Sequence, residues 1–480
     1  MPNVLIVGAG FGGIAAAIEL RRHGLTDVRI LEKAGGFGGT WLHNTYPGAA
    51  CDVPSHLYSF SFAQRRDWVR LCPTQPDILG YLGEVVTEHG LEEIIETGTH
   101  VTACRWDGDT RRWTVETSRG ERSADAVIVA TGQLHQPAFP RLAGAFSGHS
   151  FHSAEWEHGY DLRGKRVAVI GTGASAVQFV PEVAEQAAHT TVFQRTGNWF
   201  LPRRNRAYPA PYRWLIRNVP GFQAARRRSW FWIGEGLTFA IRHPRTVGRL
   251  YGLYSWLFMR RQLKGHPELR ERVWPDYTFG CKRVLFSSSY LPTLARDDVE
   301  VVTEPIERLA PEGVVGRDGR VHAVDCVIYG TGFRTTDFMF PIEITGTGGR
   351  SLQDAWAGGA HAHLGMTVPG FPSLYVMYGP NTNTSGGSII TYHEAQAGYI
   401  RQAIELQRDR DAALTVRAGV EASSDRALQE RFTGTAWTQC NSWYRDDSGR
   451  IVTNWPGYMR EYIDRTRELD PGDFELLRAS

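Results

Sequence analysis

A short β-branched run at residues 4–7 opens the chain, and a glycine-rich turn and an alanine-rich apolar stretch follow it directly. A continuous apolar run of this length is typical of a strand buried on both faces of a parallel sheet. The pattern therefore predicts strand, turn and helix. In such a unit the first glycine permits a tight turn, the second lets the backbone approach a pyrophosphate, and the third lets the helix pack close to the strand. The three glycines are Gly8, Gly10 and Gly13.

An acidic residue follows the next predicted strand, residues 28–31. This residue, Glu32, lies about 20 residues after the turn, where dinucleotide-binding units place a carboxylate that accepts hydrogen bonds from a ribose 2′-hydroxyl. Taken alone, Glu32 is more simply interpreted as a solvated charge at a strand end. With a strand, a turn and a helix before it, Glu32 favours a nucleotide site.

The same order of residues recurs later in the chain. Residues 165–170 form an apolar run that leads into Gly171 and Gly173, with an alanine in the third small position. The strand that follows ends in Arg195 and Thr196 instead of an acid. A carboxylate there would repel a 2′-phosphate, whereas a guanidinium can bind it bidentately, so this second site favours NADP over NAD. The simpler alternative for Arg195 is an exposed arginine at a sheet edge.

Composition sets broad limits on the class of protein. A chain of 480 residues with 42% hydrophobic residues can bury large cores, and its length predicts two or three domains. The 53 basic and 51 acidic residues nearly cancel, so no overall field favours nucleic acid. We expect no targeting segment, because no basic residue precedes the N-terminal apolar run. We also expect no transmembrane segment, because charges interrupt the long apolar stretches.

The six cysteines form neither a CxxC pair nor a metal-ligand spacing. We therefore expect no disulfide framework and no metal site, and a reducing, cytoplasmic location. The absence of CxxC also argues against a reductase that uses a redox-active cysteine pair beside a flavin.

Two longer motifs add a resemblance. Phe146, Gly148, His152 and Trp156 form the pattern FxGxxxHxxxW, and residues 38–52 fit GGxWxxxxYPGxxxD at every fixed position. Both patterns resemble the signatures of type I Baeyer–Villiger monooxygenases. The resemblance implies an FAD- and NADPH-dependent enzyme that uses O2 to convert an apolar ketone into an ester or lactone through a C4a-peroxyflavin. It also implies that the four residues of the first pattern couple the domains, with His152 in a structural role.

The resemblance implies where the chain passes between domains. Two predicted strands end in a Thr-Gly turn, at Thr131 and Gly132 and again at residues 331–332, which in such flavoproteins mark the crossings. The expected fold class is α/β, with two Rossmann-like dinucleotide-binding domains, for FAD and NADPH, and a helical insert. The expected division is FAD domain 1–139, NADPH domain 140–202, insert 203–273, NADPH domain 274–330 and FAD domain 331–480.

Further cofactor contacts follow from the resemblance alone. On the FAD side they include Gly39, Thr40 and Trp41. At the 2′-phosphate of NADPH, Lys282 joins Arg195 and Thr196. A polar, glycine-rich loop that contains Asn381 approaches the flavin ring, and Trp443 contacts the nicotinamide ribose, although a core tryptophan is almost as good an interpretation of that residue.

Arg283 is the candidate catalytic residue, and Asp52 is its partner. Inserting oxygen beside a carbonyl requires that a peroxide on the flavin stays anionic, which needs a fixed positive charge and exclusion of water. A guanidinium keeps its charge at any relevant pH. Arg283 lies in a segment that resembles the one delivering the catalytic arginine in the family, and Asp52 ends the longer motif.

Residues 203–273 break the alternation of strands and helices. They are rich in arginine and aromatic residues, contain only three acidic residues, and have apolar spacing that predicts helices. Three interpretations stay open: a subdomain with an aromatic core and a solvated basic face, a lid over a hydrophobic substrate tunnel, and a basic amphipathic patch on anionic lipid. Three alternatives to ketone oxidation also stay open: N- or S-oxygenation, an uncoupled NADPH oxidase or flavin reductase, and a redox-sensing flavoprotein without turnover. The oligomeric state is not predicted.

Overall fold

The computed structural model describes residues 1–203, 205–339 and 341–478. The first 129 residues alternate strands and helices and then add an antiparallel region. The elements are β1 (Val4–Val7), α1 (Phe11–Arg22), β2 (Val28–Leu31), α2 (Thr40–His43), α3 (Gln75–Glu88), β3 (Ile95–Glu96), β4 (Val101–Asp107), β5 (Arg112–Thr117), β6 (Gly120–Ala124) and β7 (Ala126–Val129). Helix α3 begins at a capping box, in which the backbone N–H of Thr74 donates to Asp77 at 3.0 Å.

The middle of the chain holds a second alternating unit interrupted by helices. Its elements are β8 (His149–His152), β9 (Arg166–Ile170), α4 (Ala174–Ala184), β10 (His189–Phe193), β11 (Phe200–Leu201), α5 (Ala210–Asn218), α6 (Phe222–Arg242), α7 (Val247–Gln262), α8 (Pro267–Val273), β12 (Leu285–Phe286), α9 (Tyr290–Leu294), β13 (Val299–Val302), β14 (Ile306–Ala310), β15 (Gly313–Gly316), β16 (Val321–Ala323) and β17 (Cys326–Tyr329). Helices α5 to α8 lie within residues 205–273, where the apolar spacing predicts helices.

The C-terminal part completes the first unit. Its elements are β18 (Glu343–Thr345), α10 (Leu352–Ala355), β19 (Leu374–Val376), α11 (Ile389–Arg410), β20 (Ala413–Val416), α12 (Ala418–Glu430), α13 (Met459–Arg465) and β21 (Phe474–Leu477). Short 3-10 helices lie between these elements, at Glu92–Ile94, Ser153–Glu155, Thr347–Gly349, Ala436–Thr438 and Pro471–Asp473.

Two five-stranded parallel sheets form the framework. The first has the order β19-β7-β1-β2-β3, so a C-terminal strand completes a sheet begun at the N-terminus, and the second has the order β13-β10-β9-β17-β8. In the first sheet Val7 pairs in register with Leu31 and Val129, so three strands end at one edge. The turn after β1 therefore lies at the carboxyl edge, where open α/β sheets bind ligands.

Smaller sheets and apolar clusters surround these two. Strands β18-β4-β5-β6 form one sheet, β14-β15-β16 another, and β11-β12 and β20-β21 form pairs. Each parallel sheet has its own buried cluster, with Ile6 and Ile128 in the first and Val169 and Ile328 in the second. These four side chains are fully buried, which explains why the sequences of their strands β1, β7, β9 and β17 are almost continuously apolar.

The two crossings between these units run side by side. The N–H of Ala138 donates to the carbonyl of Gly332 at 2.9 Å, and the N–H of Arg334 donates to the carbonyl of Gln136 at 2.9 Å. Both crossings are therefore held together as an antiparallel pair, with Pro137 opposite Phe333.

The described residues contain one disulfide, contrary to the expectation from the cysteine spacing. Cys281 and Cys440 are bonded, with their Cα atoms 6.1 Å apart and a separation of 159 positions in the chain. The expectation was wrong because the pairing is made by packing of two distant segments, which no local spacing reveals. The four free cysteines of the described residues, Cys51, Cys72, Cys104 and Cys326, are buried.

In the described part of the chain, none of the helices combines the length and the apolar character needed to cross a bilayer.

Candidate active site

A cavity of about 1840 Å³ lies at the carboxyl ends of both parallel sheets. Both glycine-rich turns line it, including Gly8 of the first and Gly171 of the second. Pockets for one drug-sized ligand have volumes of about 300–1,000 Å³. This cavity is larger, and its two ends carry the same kind of turn, so it has the size and the walls for two dinucleotides.

The first turn has the geometry that its glycines predict. Gly8 has a φ of 108°, and a Cβ atom on it would lie 2.7 Å from the carbonyl oxygen of Ala130. A Cβ atom on Gly13 would lie 1.9 Å from the carbonyl oxygen of Gly8, so only glycine lets α1 pack this close to β1. The N-cap of α1 is Gly10, and no side chain caps it. Free N–H groups at a helix N-terminus that lines a cavity are a phosphate site.

Glu32 lines this end of the cavity and is almost fully buried. One carboxylate oxygen accepts a hydrogen bond from the N–H of Ala9, and the other accepts one from the N–H of Ala34, both at 2.8 Å. Glu32 therefore fixes the glycine turn itself. A carboxylate accepts up to about four hydrogen bonds, so these two leave capacity for a ribose hydroxyl.

The remaining residues predicted on the FAD side also line the cavity: Gly39, Thr40, Trp41, Thr131 and Gly132. Gly39 has a φ of 56°, and a Cβ atom on Gly10 would lie 3.5 Å from its Cα, so two glycines bring the backbone of the turn and of the α2 start together. Trp41 donates from its indole N–H to the hydroxyl of Tyr58 at 3.0 Å.

The second turn repeats this design. Gly171 has a φ of 106°, and a Cβ atom on it would lie 2.4 Å from the carbonyl oxygen of Gly330. A Cβ atom on Gly173 would meet nothing within 4 Å, so open space lies beside the turn. Helix α4 begins there without a side-chain cap, and its N–H groups are available to a phosphate.

Three residues predicted at a 2′-phosphate lie along the cavity wall: Arg195, Thr196 and Lys282. Burial, followed by the nearby charge of Arg195, lowers the pKa of Lys282 below its ordinary value. The ammonium of Lys282 lies 4.7 Å from the centre of the Tyr277 ring. Two cations held close together repel each other until an anion joins them, so this wall fits a phosphate.

Arg283 and Asp52 form an ion pair in the same cavity wall. The Nη2 atom of Arg283 donates to both carboxylate oxygens of Asp52, at 2.9 and 2.7 Å. Burial would raise the pKa of Asp52, but the charge and hydrogen bonds of Arg283, together with the charge of Arg203, outweigh burial and lower it. The charge of Asp52 in turn raises the pKa of Arg283. The ion pair with Asp52 holds the charge of Arg283 in place. The Arg283 side chain is 41% exposed, so this charge is also accessible from the cavity.

Sequence reasoning missed Arg203, which it assigned to the insert. Arg203 lines the cavity and donates to the carbonyl oxygen of Cys51 at 3.1 Å, which puts a second positive charge beside Asp52. Two phenols also face this charge. Burial, against the opposing charge of Arg283, raises the pKa of Tyr378 and raises that of Tyr444 to about 12. Tyr378 and Tyr444 lie in the segments of Asn381 and Trp443 that resemble the family, whereas no local motif marks Arg203, whose proximity to Asp52 comes from packing.

The pattern FxGxxxHxxxW has a packing explanation. The Phe146 ring lies over Gly148, where a Cβ atom would come within 2.4 Å of it and within 3.0 Å of the carbonyl oxygen of Asp325. Trp156 packs against Phe151 with ring centroids 5.1 Å apart. These residues therefore anchor β8 to the second sheet.

His152 lies at the end of β8, between the two crossings. Its Nδ1 accepts a hydrogen bond from the N–H of Ala154 at 3.1 Å, so that nitrogen carries no proton. Burial lowers the pKa of His152. Its ring centroid lies 5.3 Å from that of Phe139 in the first crossing and 6.0 Å from that of Phe333 in the second. The structure thus places a neutral His152 between the linkers.

The two C-terminal cofactor residues differ in their placement. Trp443 lines the cavity, whereas Asn381 does not. The Asn381 amide is buried and donates to the carbonyl oxygens of Ile451 and Asn454, at 2.8 and 3.0 Å. Asn381 therefore holds the loop, and the neighbouring residues of that loop, beginning with Asn383, line the cavity in its place. The sequence shows that the loop is polar but not which of its side chains turn inward.

The helical insert closes another side of the cavity. Side chains of α6 and α7 line it, namely Trp230, Ile233, Leu237, Tyr251 and Tyr254. This wall is largely apolar. The inner side of the insert therefore fits the interpretation of a lid over an apolar chamber.

Two nucleotide-binding turns that share a cavity with a paired arginine define the protein as an oxidoreductase with two dinucleotide sites. A family model described as pyridine nucleotide-disulphide oxidoreductase matches residues 5–209. Cys281 and Cys440, which form the disulfide found in the described residues, do not line the cavity, so the pair is not placed for a cysteine-based reductase.

Known proteins identify the family. A Baeyer-Villiger monooxygenase of Streptomyces coelicolor is 41% identical over 487 aligned residues, which cover 100% of this chain and 93% of that protein. Among solved structures, an oxidized steroid monooxygenase bound to NADP has a TM-score of 0.88 and 30% identity, covering 99% of both chains. A complex of OTEMO with FAD and NADP has a TM-score of 0.89 and 26% identity, also covering 99% of both. The chain belongs to the Baeyer–Villiger monooxygenase family, which confirms the predicted family, fold class and class of enzyme.

Proposed function

We propose that this enzyme converts an apolar ketone into an ester or lactone, with Arg283 as the catalytic cation. The observation that carries the proposal is the ion pair in which one guanidinium nitrogen of Arg283 donates to both oxygens of Asp52, in the wall of a cavity that both glycine-rich turns line. A positive charge fixed in a partly buried wall stabilises negative charge that develops on oxygen more strongly than a solvated charge does.

The cofactors are FAD and NADPH. FAD fits the turn around Gly10, whose uncapped helix N-terminus would hold its pyrophosphate, and NADPH fits the turn around Gly173. Arg195, Thr196 and Lys282 would hold the 2′-phosphate. When bound, the two cofactors supply the electrons that split O2, one atom of which enters beside the carbonyl while the other leaves as water.

The protein's own contribution is charge, orientation and exclusion of water. Asp52 orients the guanidinium of Arg283, and Arg283, with a smaller contribution from Arg203, keeps the pKa of Asp52 low and the carboxylate ionised. The neutral phenols of Tyr378 and Tyr444 lie near the same charge, and the Tyr378 hydroxyl donates to Asn383 at 2.9 Å. With the apolar insert over the chamber, these groups act in a medium where each hydrogen bond to a developing oxyanion is stronger than in water.

The proposal includes the domain layout and the role of the coupling residues. The FAD domain comprises residues 1–139 and 331–480, the NADPH domain 140–202 and 274–330, and the insert 203–273. His152, which lies between two paired crossings, holds the linkers together as the domains shift during turnover.

A cytoplasmic location is also part of the proposal. The absence of CxxC pairs from the sequence supports it, whereas the bond between Cys281 and Cys440 in the structure opposes it. In a reducing cytoplasm, Cys281 and Cys440 would be kept as thiols. Denaturing alkylation of freshly opened cells, followed by mass spectrometry, should then modify both cysteines without added reductant. A pair protected until reductant is added would contradict this location.

Product analysis tests the activity. The purified holoenzyme with NADPH and O2 should form esters or lactones from linear, cyclic, aryl or steroid ketones, with one NADPH consumed per product. Sulfoxide or N-oxide as the sole product would favour the heteroatom-oxygenating alternative. Hydrogen peroxide in equal amount to NADPH, with every ketone, would favour an uncoupled oxidase, and a flavin that NADPH fails to bleach would favour a sensor.

A further inference from the structure

The outer face of the insert carries large apolar side chains in regular spacing. Leu250, Leu253 and Leu257 of α7 are 65%, 54% and 53% exposed. Residues three, four and seven positions apart lie on one side of a helix, so these leucines form one stripe along α7. Trp232 on the adjacent helix α6 is also half exposed. None of these four belongs to the buried apolar clusters of the described residues. They are therefore not the core of the insert.

Positive charge surrounds this stripe. Between residues 205 and 267 the one acidic residue is Glu235, which is buried and accepts a hydrogen bond from the backbone N–H of Arg460 at 3.0 Å. The exposed charged residues of the same stretch are all basic: Arg206, Arg213, Arg217, Arg228, Arg245, Arg249, Arg260, Arg261 and Lys264. Helices α6 and α7 thus combine an apolar stripe with exposed charges of one sign, although the whole chain is nearly neutral and the adjoining α8 carries the exposed acids Glu268 and Glu271.

The apolar surface continues into the cavity. Ile233 of α6 and Tyr254 of α7 line the cavity and are each about half exposed, at 55% and 51%. Tyr254 directly follows Leu253, and Ile233 directly follows Trp232. An apolar molecule that moves from the outer face of the insert into the cavity would therefore contact apolar side chains along the whole way.

A second copy of the chain is a poor partner for this face. A symmetric dimer joins the same patch of both subunits. Arg245 and Arg249 would then meet their own copies, whereas the exposed acids of the insert, Glu268 and Glu271, lie on α8 and not on α6 or α7. Like charges brought together across an interface cost free energy. An anionic surface has the opposite property, because it neutralises the arginines and takes up the leucines.

We propose that the α6 and α7 face docks on an anionic lipid bilayer, with the Leu250, Leu253 and Leu257 stripe at the acyl boundary and the arginines at the headgroups. The entry of an apolar substrate from the bilayer past Ile233 and Tyr254 rests on the proposed function. Docking itself requires neither NADPH nor turnover.

Vesicle flotation of the holoenzyme tests the docking. Vesicles of phosphatidylcholine alone are compared with vesicles that also contain phosphatidylglycerol, at about 0.1 M and about 0.5 M salt. We expect binding to the anionic vesicles and loss of it at high salt. Arg245→Glu with Arg249→Glu should lower the affinity roughly tenfold or more, and Leu250→Ser with Leu253→Ser and Leu257→Ser should do the same.

Matched variants outside the face serve as controls. Arg317 and Val321 are exposed residues of the β14 to β16 region. Arg317→Glu and Val321→Ser should leave flotation unchanged, and equal loss in these variants would overturn the proposal. So would the absence of binding to anionic vesicles, or a concentration-dependent dimer in sedimentation that the leucine variant abolishes. Ketone turnover in vesicle-free buffer is measured separately, so a failure of the proposed activity would leave the flotation result standing.

Discussion

A single nitrogen of Arg283 donates to both oxygens of Asp52, a residue 231 positions earlier in the chain. The pair joins the segment around the Cys281–Cys440 disulfide to the end of the motif at residues 38–52. Both hydrogen bonds orient the guanidinium in the cavity wall. Its position relative to the two turns is therefore a property of the fold.

Replacing Arg283 should separate reduction from oxygen insertion. In Arg283→Ala the turns and the 2′-phosphate residues are intact, so anaerobic bleaching of the flavin by NADPH should persist. Ester formation should fall by about 10²–10³, the usual cost of losing one group that stabilises an oxyanion. Stopped-flow absorbance and product analysis measure the two steps. Arg308→Ala, at an exposed strand position, is the control, and an unchanged ester yield in Arg283→Ala would remove the assignment.

Arg195→Ala should weaken the binding of NADPH and leave the binding of NADH nearly unchanged. A charge-assisted hydrogen bond contributes about 1.5–3 kcal/mol, so KM for NADPH should rise by roughly 10- to 100-fold. NADH lacks the 2′-phosphate, and its KM should change little. Steady-state kinetics with both nucleotides decide the matter. Equal changes in the two KM values would place Arg195 away from the phosphate.

The lowered pKa of Lys282 predicts that KM for NADPH depends on pH. Its pKa lies below the ordinary value because burial and Arg195 disfavour the charged form. As pH rises through this lowered pKa, the free enzyme loses the cation that a 2′-phosphate needs. KM for NADPH should therefore rise at a pH below about 10.4, the ordinary lysine value. Lys282→Arg keeps its charge and should give a flat profile, as should NADH with the unchanged enzyme. A similar rise in all three would point to another group.

Gly148→Ala should destabilise the fold. The added Cβ atom would lie 2.4 Å from the Phe146 ring and 3.0 Å from a backbone oxygen. Overpacking of this kind costs about 1–3 kcal/mol of the free energy of unfolding. Gly159→Ala is a matched control, because a Cβ atom there meets nothing within 4 Å. Thermal denaturation compares the two, and adding Phe146→Leu to Gly148→Ala should restore part of the loss. Equal stability of both alanine variants would refute the packing explanation.

The disulfide predicts a redox-dependent stability. Cys281 and Cys440 are 159 positions apart, so their bond closes a long loop. Breaking such a bond costs about 2–5 kcal/mol. The oxidised protein should unfold at a lower temperature when reductant is added. The double variant Cys281→Ser with Cys440→Ser should unfold at that lower temperature without reductant, and adding reductant should not change its unfolding temperature. Calorimetry with and without reductant measures this, and a reductant effect that persists in the double variant would assign it to other cysteines.

Local patterns were sufficient for much of the fold. A β-branched run, spaced glycines and an apolar helix identify each dinucleotide unit, because strand, turn and helix are contiguous in the sequence. Glycine is required in these turns where the backbone of a neighbouring residue comes close to it. Gly8 and Gly13 show this directly, since their Cβ atoms would strike neighbours within the same unit or on the adjoining strand. The helical insert was predictable for the same reason, because helical periodicity is a local property.

The sequence by itself determined the two nucleotide turns, the family and the candidate pair Arg283 and Asp52. The tertiary structure alone decided which groups surround that pair, that Asn381 supports its loop from outside the cavity, and that Cys281 bonds to Cys440. Arg203 joined the site only when β11 and the Cys51 segment packed together. The physical reason is that contacts between distant residues depend on how whole elements pack, and spacing along the chain carries no record of that packing.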